Sequence, residues 1–311
     1  MSNIYAAVIE DSLFPKGDPV KHRLISIEIY LPKILDAEFE KHRSINSNSS
    51  SDRAMSFTRV SCMDPFIPSD IRISNVSMRS DSPAPSAVAD SFIQTVMELR
   101  DYTIDKLHPF HKMIHKQHLN RYMVAYSMQK KLATATLDWW NYFIKLRAAP
   151  DADPAIIKVA RCIQQAIQAS EPVDPAEKVG HLCYITKEER RTLAYEYPIL
   201  ALASAARCAR TSYLRDGVNA PTLEDDLIRA NKLIDDIHLT PFDHQATPTT
   251  VTQVTNQALS WGDLTELLHD ATHIDREGFV WCNSLRGWSQ FRTHPLVTRG
   301  RDLYGPAKEE A

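Results

Sequence analysis

Residues 41–53 read KHRSINSNSSSDR. Lys41, Arg43 and Arg53 put fixed positive charge at both ends, His42 adds an imidazole, and seven of the thirteen side chains are small hydroxyls or amides. Arginine offers a planar fork of donors suited to phosphate or to a carbonyl edge. Serine and asparagine add short hydrogen-bonding groups that let a ligand approach closely. By composition alone the stretch fits a solvated serine-rich loop as well as a binding loop. What precedes it favours binding.

Upstream, His22–Leu31 (HRLISIEIYL) alternates Ile25, Ile27 and Ile29 against Ser26, Glu28 and Tyr30, which predicts a strand with one buried face. Pro32 ends it, and LDAEFEKHR predicts a short helix leading into the opening stretch. A proline-bearing loop is expected from about Cys62 to Pro85. Residues 86–120 predict a helix, with Val88, Phe92, Val96, Leu99 and Ile104 near helical spacing. Arg121–Leu146, ending in the aromatic-rich TLDWWNYFIKLR, is expected to continue helical. AAPDADP breaks that helix, and Ala155–Ala169 resumes it. SEPVDP opens a connection reaching Glu189. Thr222 and Asp225 form a capping box for TLEDDLIRANKLIDDI. HLTPFDH (residues 238–244) follows, then two expected strands, TPTTVTQVT and GFVWCNSLRGWSQFRTH.

Composition narrows the function classes. The chain has 311 residues and a formal charge of −3, which argues against a surface that coats nucleic acid. No apolar run approaches the roughly 20 residues of a membrane helix, and no signal peptide is read at the N-terminus. Five scattered cysteines without a CxxC pair fit a reducing cytoplasm. Glycine is scarce, and no two of the eight build GxGxxG or a Walker loop. Any nucleotide must therefore be held largely by side chains. His108, His111, His115 and His118 fall on one predicted helix face, where four ligands cannot surround an ion, so no metal is expected. Arg121 and Arg147 sit on predicted helices, where a salt bridge competes with a substrate role. His238 and His244 bracket a tight turn. Arg286, Arg292, His294, Arg299 and Arg301 form either a phosphate-touching cluster or a solvated basic tail.

Three separated pieces share one resemblance. KHRSINSNSSSDR resembles the signature of the flavin-dependent thymidylate synthase family (ThyX), RHRxxSxNxxSxR, with His42, Arg43, Asn48, Ser51 and Arg53 in register. HLTPFDH resembles that family's HxSPFEH element, and AARCARTSY (residues 205–213) the segment before it. Arg121 and the KLR ending at Arg147 resemble two substrate arginines. The order is rearranged, with HLTPFDH after the signature instead of before it, as in longer phage-type members.

The resemblance implies an α/β fold of the α+β type, with a mixed or antiparallel sheet beside a helical region. It implies one catalytic domain over 1–311: strand and signature loop in 1–62, helices in 86–169, and the HLTPFDH region with a second strand in 197–301. The implied activity is methylation of dUMP to dTMP by a methyltransferase using methylenetetrahydrofolate, FAD and NADPH. The implied assembly is a homotetramer in the cytoplasm (of the host, if phage-encoded), with neither nucleic acid nor membrane as partner. It further implies that His42, Arg43, Asn48, His238 and Thr240 hold the cofactors. Ser49, Ser50, Ser51, Arg53 and Arg121 would hold the nucleotide. Arg147 would polarise the pyrimidine and stabilise charge developing on the ring.

Departures from the pattern bear on the substrate. Lys41 replaces the first arginine, Asn46 the first serine, and Ser49 stands where the signature carries glutamate. Glu38 occupies the place of a nucleotide-holding glutamine, a function that Gln290 and Arg292 are positioned in sequence to supply. Asp151 and Asp153 stand for the usual histidine and glutamine past the KLR arginine. A relative acting on dCMP, or leaving a hydroxymethyl group, is the neighbouring alternative. A nucleotide-binding relative without turnover is an alternative of another class.

Overall fold

The computed structural model describes residues 4–13, 22–76, 80, 82–174, 179–192, 196–211, 221–249 and 272–299. Strand β1 is Tyr5–Ser12, β2 is Leu24–Pro32, β3 is Asn46–Ser49 and β4 is Met128–Thr136. They form an antiparallel sheet in the order β1-β2-β4-β3. Alternate residues of a strand face opposite ways, so Ile25, Ile27, Ile29, Ala133 and Ala135 share one face. That face is covered by α2, Leu137–Arg147, and α3, Pro154–Gln168. Trp140, Phe143, Ile156, Val159 and Ile163 complete this core. Each large side chain removed from water there contributes about 1.5–3 kcal/mol.

Two expectations are corrected here. β2 is buried on both faces, because Ser26 and Glu28 lie under a second layer. That layer is the segment around His181–Tyr184, helix α4 (Tyr197–Cys208) and helix α5 (Leu223–Asp235). The expected helix over 121–146 is helical only from Leu137; its middle is β4, which pairs with β2 from Leu24↔Thr136 to Pro32↔Met128. A strand buried on both faces loses the period-two alternation that would distinguish it. Lys130, Lys131 and three alanine or leucine residues gave it a helical composition.

The predicted helix over 86–120 is also interrupted. Helix α1 spans Ser86–Leu107, His108–Phe110 is a single 3-10 turn, and a short helix follows at Lys116–Arg121. His115 caps that last helix, its Nδ1 accepting from the Gln117 amide at 3.3 Å. α5 begins at the predicted capping box, with the Thr222 and Asp225 side chains bonding each other's backbone.

The second expected strand, GFVWCNSLRGWSQFRTH, is three: β7 (Val280–Cys282), β8 (Leu285–Arg286) and β9 (Trp288–Gln290). Asn283 and Gly287 turn the chain between them in left-handed conformations, φ 52° and 74°. β9 pairs with β5, Ala246–Pro248, and β7 with both β8 and β6, His273–Ile274. Residues 250–255 of the expected threonine-rich strand lie outside the described residues, as do Ser212, Tyr213 and Arg301.

Candidate functional site

The signature folds as two ends joined by β3. Asn46–Ser49 pairs with Leu132–Thr134 and Lys131 of β4, making it an edge strand fixed to the sheet. Residues 41–45 emerge at one end and residues 50–53 at the other.

At the first end lies a groove of two adjoining lobes. One lobe, about 410 Å³, is lined by Lys41, His42, Arg43, Tyr142, Leu146 and Arg147. The other, about 500 Å³, is lined by Asn46, His273, Trp281, Asn283 and Ser284. Arg43, Ser44 and Trp139 border both. Arg43 and Lys41 are exposed. Ser284 Oγ donates to Asn46 Oδ1 at 3.0 Å, tying the β7–β8 turn to the edge strand. Trp281 stacks on His273 with ring centroids 5.6 Å apart.

Arg147 is the last residue of α2, and this position carries it to the base of the first lobe. Its Nε donates to His42 Nε2 at 2.9 Å, its Nη1 to Glu38 Oε2 at 3.0 Å and its Nη2 to the Glu38 carbonyl at 3.0 Å. A guanidinium has five N–H donors, so two remain for a ligand. A nitrogen that accepts from arginine carries a lone pair, which makes His42 neutral with its proton on Nδ1. Burial, reinforced by the Arg147 charge, pushes the His42 pKa down to about 4. The ring is packed edge-on to Phe143, centroids 4.7 Å apart. His42 is thus a rigid neutral donor and not a cation. Glu38, expected beside the nucleotide, is the counter-ion of Arg147.

Residues 50–53 and Arg121 gather at the other end. Asn120 Nδ2 donates to the carbonyls of Asp52 and Met55 at 2.9 and 3.0 Å, and Lys116 Nζ to that of Ala54 at 3.1 Å. The Lys116–Arg121 helix therefore clamps the Asp52–Met55 turn. Arg53 and Arg121 are exposed, while Ser50 is buried with an unpartnered hydroxyl. None of Ser50, Ser51, Arg53 and Arg121 lines either lobe of the groove. Arg147 and Arg121, expected to share the nucleotide, are separated within one chain: Arg147 keeps company with His42 and Arg43. Ser49 and Asn48 lie between, Ser49 Oγ reaching Asp36 Oδ1 at 3.4 Å and Asn48 Nδ2 donating to the Cys208 carbonyl at 2.9 Å.

The HLTPFDH turn packs against β3. Pro241, Phe242, Asp243 and His244 are buried, while His238 and Thr240 face solvent. Gln290 does not open on a pocket. It is 1% exposed, donating to the Asp243 carbonyl at 2.8 Å and accepting from Asn283 Nδ2 at 2.5 Å. Arg292 pairs with Asp243 at 2.8 Å. Burial still raises the Asp243 carboxyl to about 6, with Arg292 opposing. Gln290 and Arg292 therefore both brace this turn, Gln290 from inside the fold and Arg292 from a partly exposed position.

His244 Nδ1 bonds Thr134 Oγ1 at 2.7 Å, Thr134 bonds Ser26 Oγ at 2.5 Å, Ser26 bonds His181 Nε2 at 2.8 Å, and His181 Nδ1 bonds Ser12 Oγ at 2.9 Å. This buried chain crosses three strands and anchors the turn to the sheet. Burial holds His244 neutral, its pKa lowered to about 3.

Several groove residues carried no assigned role in the sequence. Trp139 and Tyr142 stand one turn of α2 apart within the noted aromatic run, and their spacing was the available signal. Trp281, His273 and Asn283 had none, because a crossover from a distant segment delivers them. Lys131, fully buried, is held by Asp36 at 2.8 Å and by Glu40, with its ammonium 4.8 Å from the Phe39 ring centre. Among the described residues no group of three His, Cys, Asp or Glu is placed to hold a metal, and no helix is long and apolar enough to cross a membrane.

No family model matches the chain, and no curated protein matches it. Among solved structures it is similar to the crystal structure of a UMP/dUMP methylase PolB from Streptomyces cacaoi bound with 5-Br UMP. That likeness has a TM-score of 0.45 and 12% identity, covering 54% of this chain and 90% of that one. At that level it leaves the chemistry of this chain to be argued from its own residues.

Proposed function

We propose that the protein is a flavin-dependent pyrimidine nucleotide methylase of the ThyX kind, converting dUMP to dTMP. The observation that carries the reading is the meeting of His42, Arg43 and Arg147, distant in sequence, at one aromatic-walled groove. The residues present fit FAD. Lys41 and Arg43 supply cationic donors for a pyrophosphate, and Trp139, Tyr142 and Trp281 supply flat faces for rings. The indole N–H of Trp139 and the amide nitrogen of Asn46 are buried without partners, and orphan donors at a groove wall suit the carbonyl and nitrogen acceptors of a flavin.

In this reading the flavin, when bound, carries hydride from NADPH to the one-carbon unit delivered by methylenetetrahydrofolate. The chain's own residues do the rest. Arg147 keeps two N–H groups for the ligand while Glu38 and His42 fix its orientation, so it acts as a preorganised dipole. Neutral His42 presents a single donor, Nδ1–H. His238 and Thr240, exposed on a turn packed against β3, would meet the cofactors from that side. Ser50, Ser51, Arg53 and Arg121 form a second donor cluster for the nucleotide phosphate.

A complete site combines the first end of one chain's signature with the second end of another's, which is why a homotetramer belongs to this reading. Helix α1 supports self-association. Its 22 residues include none that is buried, and Val88, Phe92, Leu99 and Tyr102 stay exposed at spacings that make one apolar stripe.

The spectrum of the purified protein is the test. A bound flavin should give visible absorption bands that bleach with NADPH and return on adding methylenetetrahydrofolate with dUMP, and the product should have the mass of dTMP. A colourless protein that takes up no added FAD refutes the reading. A methylated or hydroxymethylated dCMP product, with no dTMP, transfers it to the neighbouring substrate.

A further inference from the structure

Another cavity, about 660 Å³, shares no residue with the groove. One wall is a flank of α3, where Ile157, Lys158, Arg161, Cys162 and Gln165 recur at helical spacing, with Cys162 Sγ reaching the Ile4 carbonyl at 3.7 Å. The other is Asp70 and Arg72 from the loop before α1, with Pro150 and Pro154 at the rim. Its size lies within the range typical of small-molecule sites.

The charges decide what it would take. Asp70 is neutralised locally by Arg72 at 2.7 Å, and the Arg72 Nη1 is held by the Ser80 carbonyl at 2.7 Å. Lys158 and Arg161 have no carboxylate partner among the described residues. They stand three residues apart, hence side by side on the helix. Two neighbouring cations repel each other unless an anion lies between them. In a chain whose formal charge is −3, a cavity with two unneutralised cations is a local reversal of sign. Ile157 and the two prolines give a flat apolar strip beside it, and Gln165 adds an amide one turn further along.

We infer that this cavity binds a phosphate-bearing small molecule, with Lys158 and Arg161 on the phosphate and Ile157, Pro150 and Pro154 against its less polar body. The inference is independent of the methylase reading, so either can fail alone.

Cys162 lines the cavity and reports its occupancy. In the full-length protein at low salt, inorganic pyrophosphate should slow alkylation of Cys162, followed by peptide mass, at least fivefold, while exposed Cys62 labels at an unchanged rate. The double variant Lys158→Gln/Arg161→Gln should lose that protection. No slowing at millimolar pyrophosphate, protection undiminished in the double variant, or equal protection by succinate would each overturn the assignment. Should Cys162 fail to label in the free protein, calorimetric titration replaces it. Pyrophosphate affinity should then fall at least tenfold in the double variant, and equal affinities overturn the proposal.

Discussion

Acidification should weaken this fold through histidines that are held neutral. His244 titrates at about 3 and His42 at about 4 in the folded chain, against about 6.5 when unfolded. Both folded values are depressed, so the unfolded state binds the extra proton. The stabilisation is complete above pH 6.5 and is lost as pH falls toward 4 and then 3. Between pH 7 and pH 5 each histidine costs about 2 kcal/mol. Asp243 acts in the other direction: its folded value of about 6 exceeds the unfolded carboxyl's, so acidification relieves a buried charge and returns about 1 kcal/mol over the same interval. The net loss is roughly 2–3 kcal/mol, a sizeable part of the stability of an ordinary domain. Urea denaturation at pH 7 and pH 5, with the slope checked for constancy, measures it. His244→Asn keeps a polar atom where Nδ1 meets Thr134 but cannot titrate, so the variant should be less stable at pH 7 and lose about 2 kcal/mol less on acidification. Superimposable wild-type curves at the two pH values, or an equally steep loss in His244→Asn, would refute the reasoning.

Four other outcomes follow from the geometry. Arg147→Ala removes three hydrogen bonds and leaves Glu38 without its counter-ion, so turnover should vanish and stability fall by about 1–3 kcal/mol, with flavin absorbance retained; Arg43→Ala should instead lose the absorbance. Lys131→Met leaves Asp36 and Glu40 facing one another, but both carboxylates reach solvent, so the loss by thermal or urea unfolding should be no more than about 1 kcal/mol. Leu99→Glu puts a charge in the centre of the exposed α1 stripe and should lower the mass measured by light scattering, while a tetramer of unchanged mass would place the interface elsewhere.

The sequence made the local elements legible where one period dominated. α3 was read within a residue of its observed bounds because Ile156, Val159, Ile163 and Ile167 mark a single buried face. α5 was legible from its capping box. β2 was recognised as a strand from its isoleucines, yet its second face was misread: Ser26 and Glu28 look solvent-facing in any alternation. They are buried because His181 and Tyr184, more than one hundred and fifty residues later, supply hydrogen-bond partners. No periodicity encodes a partner at that separation. β4 failed for the same reason, since a strand enclosed on both sides has no polar face to announce it.

The groove was legible in the same partial way. His42 and Arg43 stand out because a cation–imidazole pair in a glycine-poor, hydroxyl-rich loop has few structural uses, and the fold brings both to a cavity. Arg147 was singled out, but its placement depends on the phase of α2: a shift of the sequence by one residue along the helix would swing the guanidinium by about 100°, away from His42. Gln290 and Arg292 illustrate the competing demand of the fold. Spacing alone offers an amide and a guanidinium to any ligand, whereas the fold has already engaged them with Asn283 and Asp243. A polar side chain becomes a candidate for binding only after the chain's own demands on it are met. By that criterion Arg147 retains two donors, Arg43 and Arg121 stand exposed with their guanidinium groups open to a ligand, and Gln290 is buried with its amide turned onto Asp243 and Asn283.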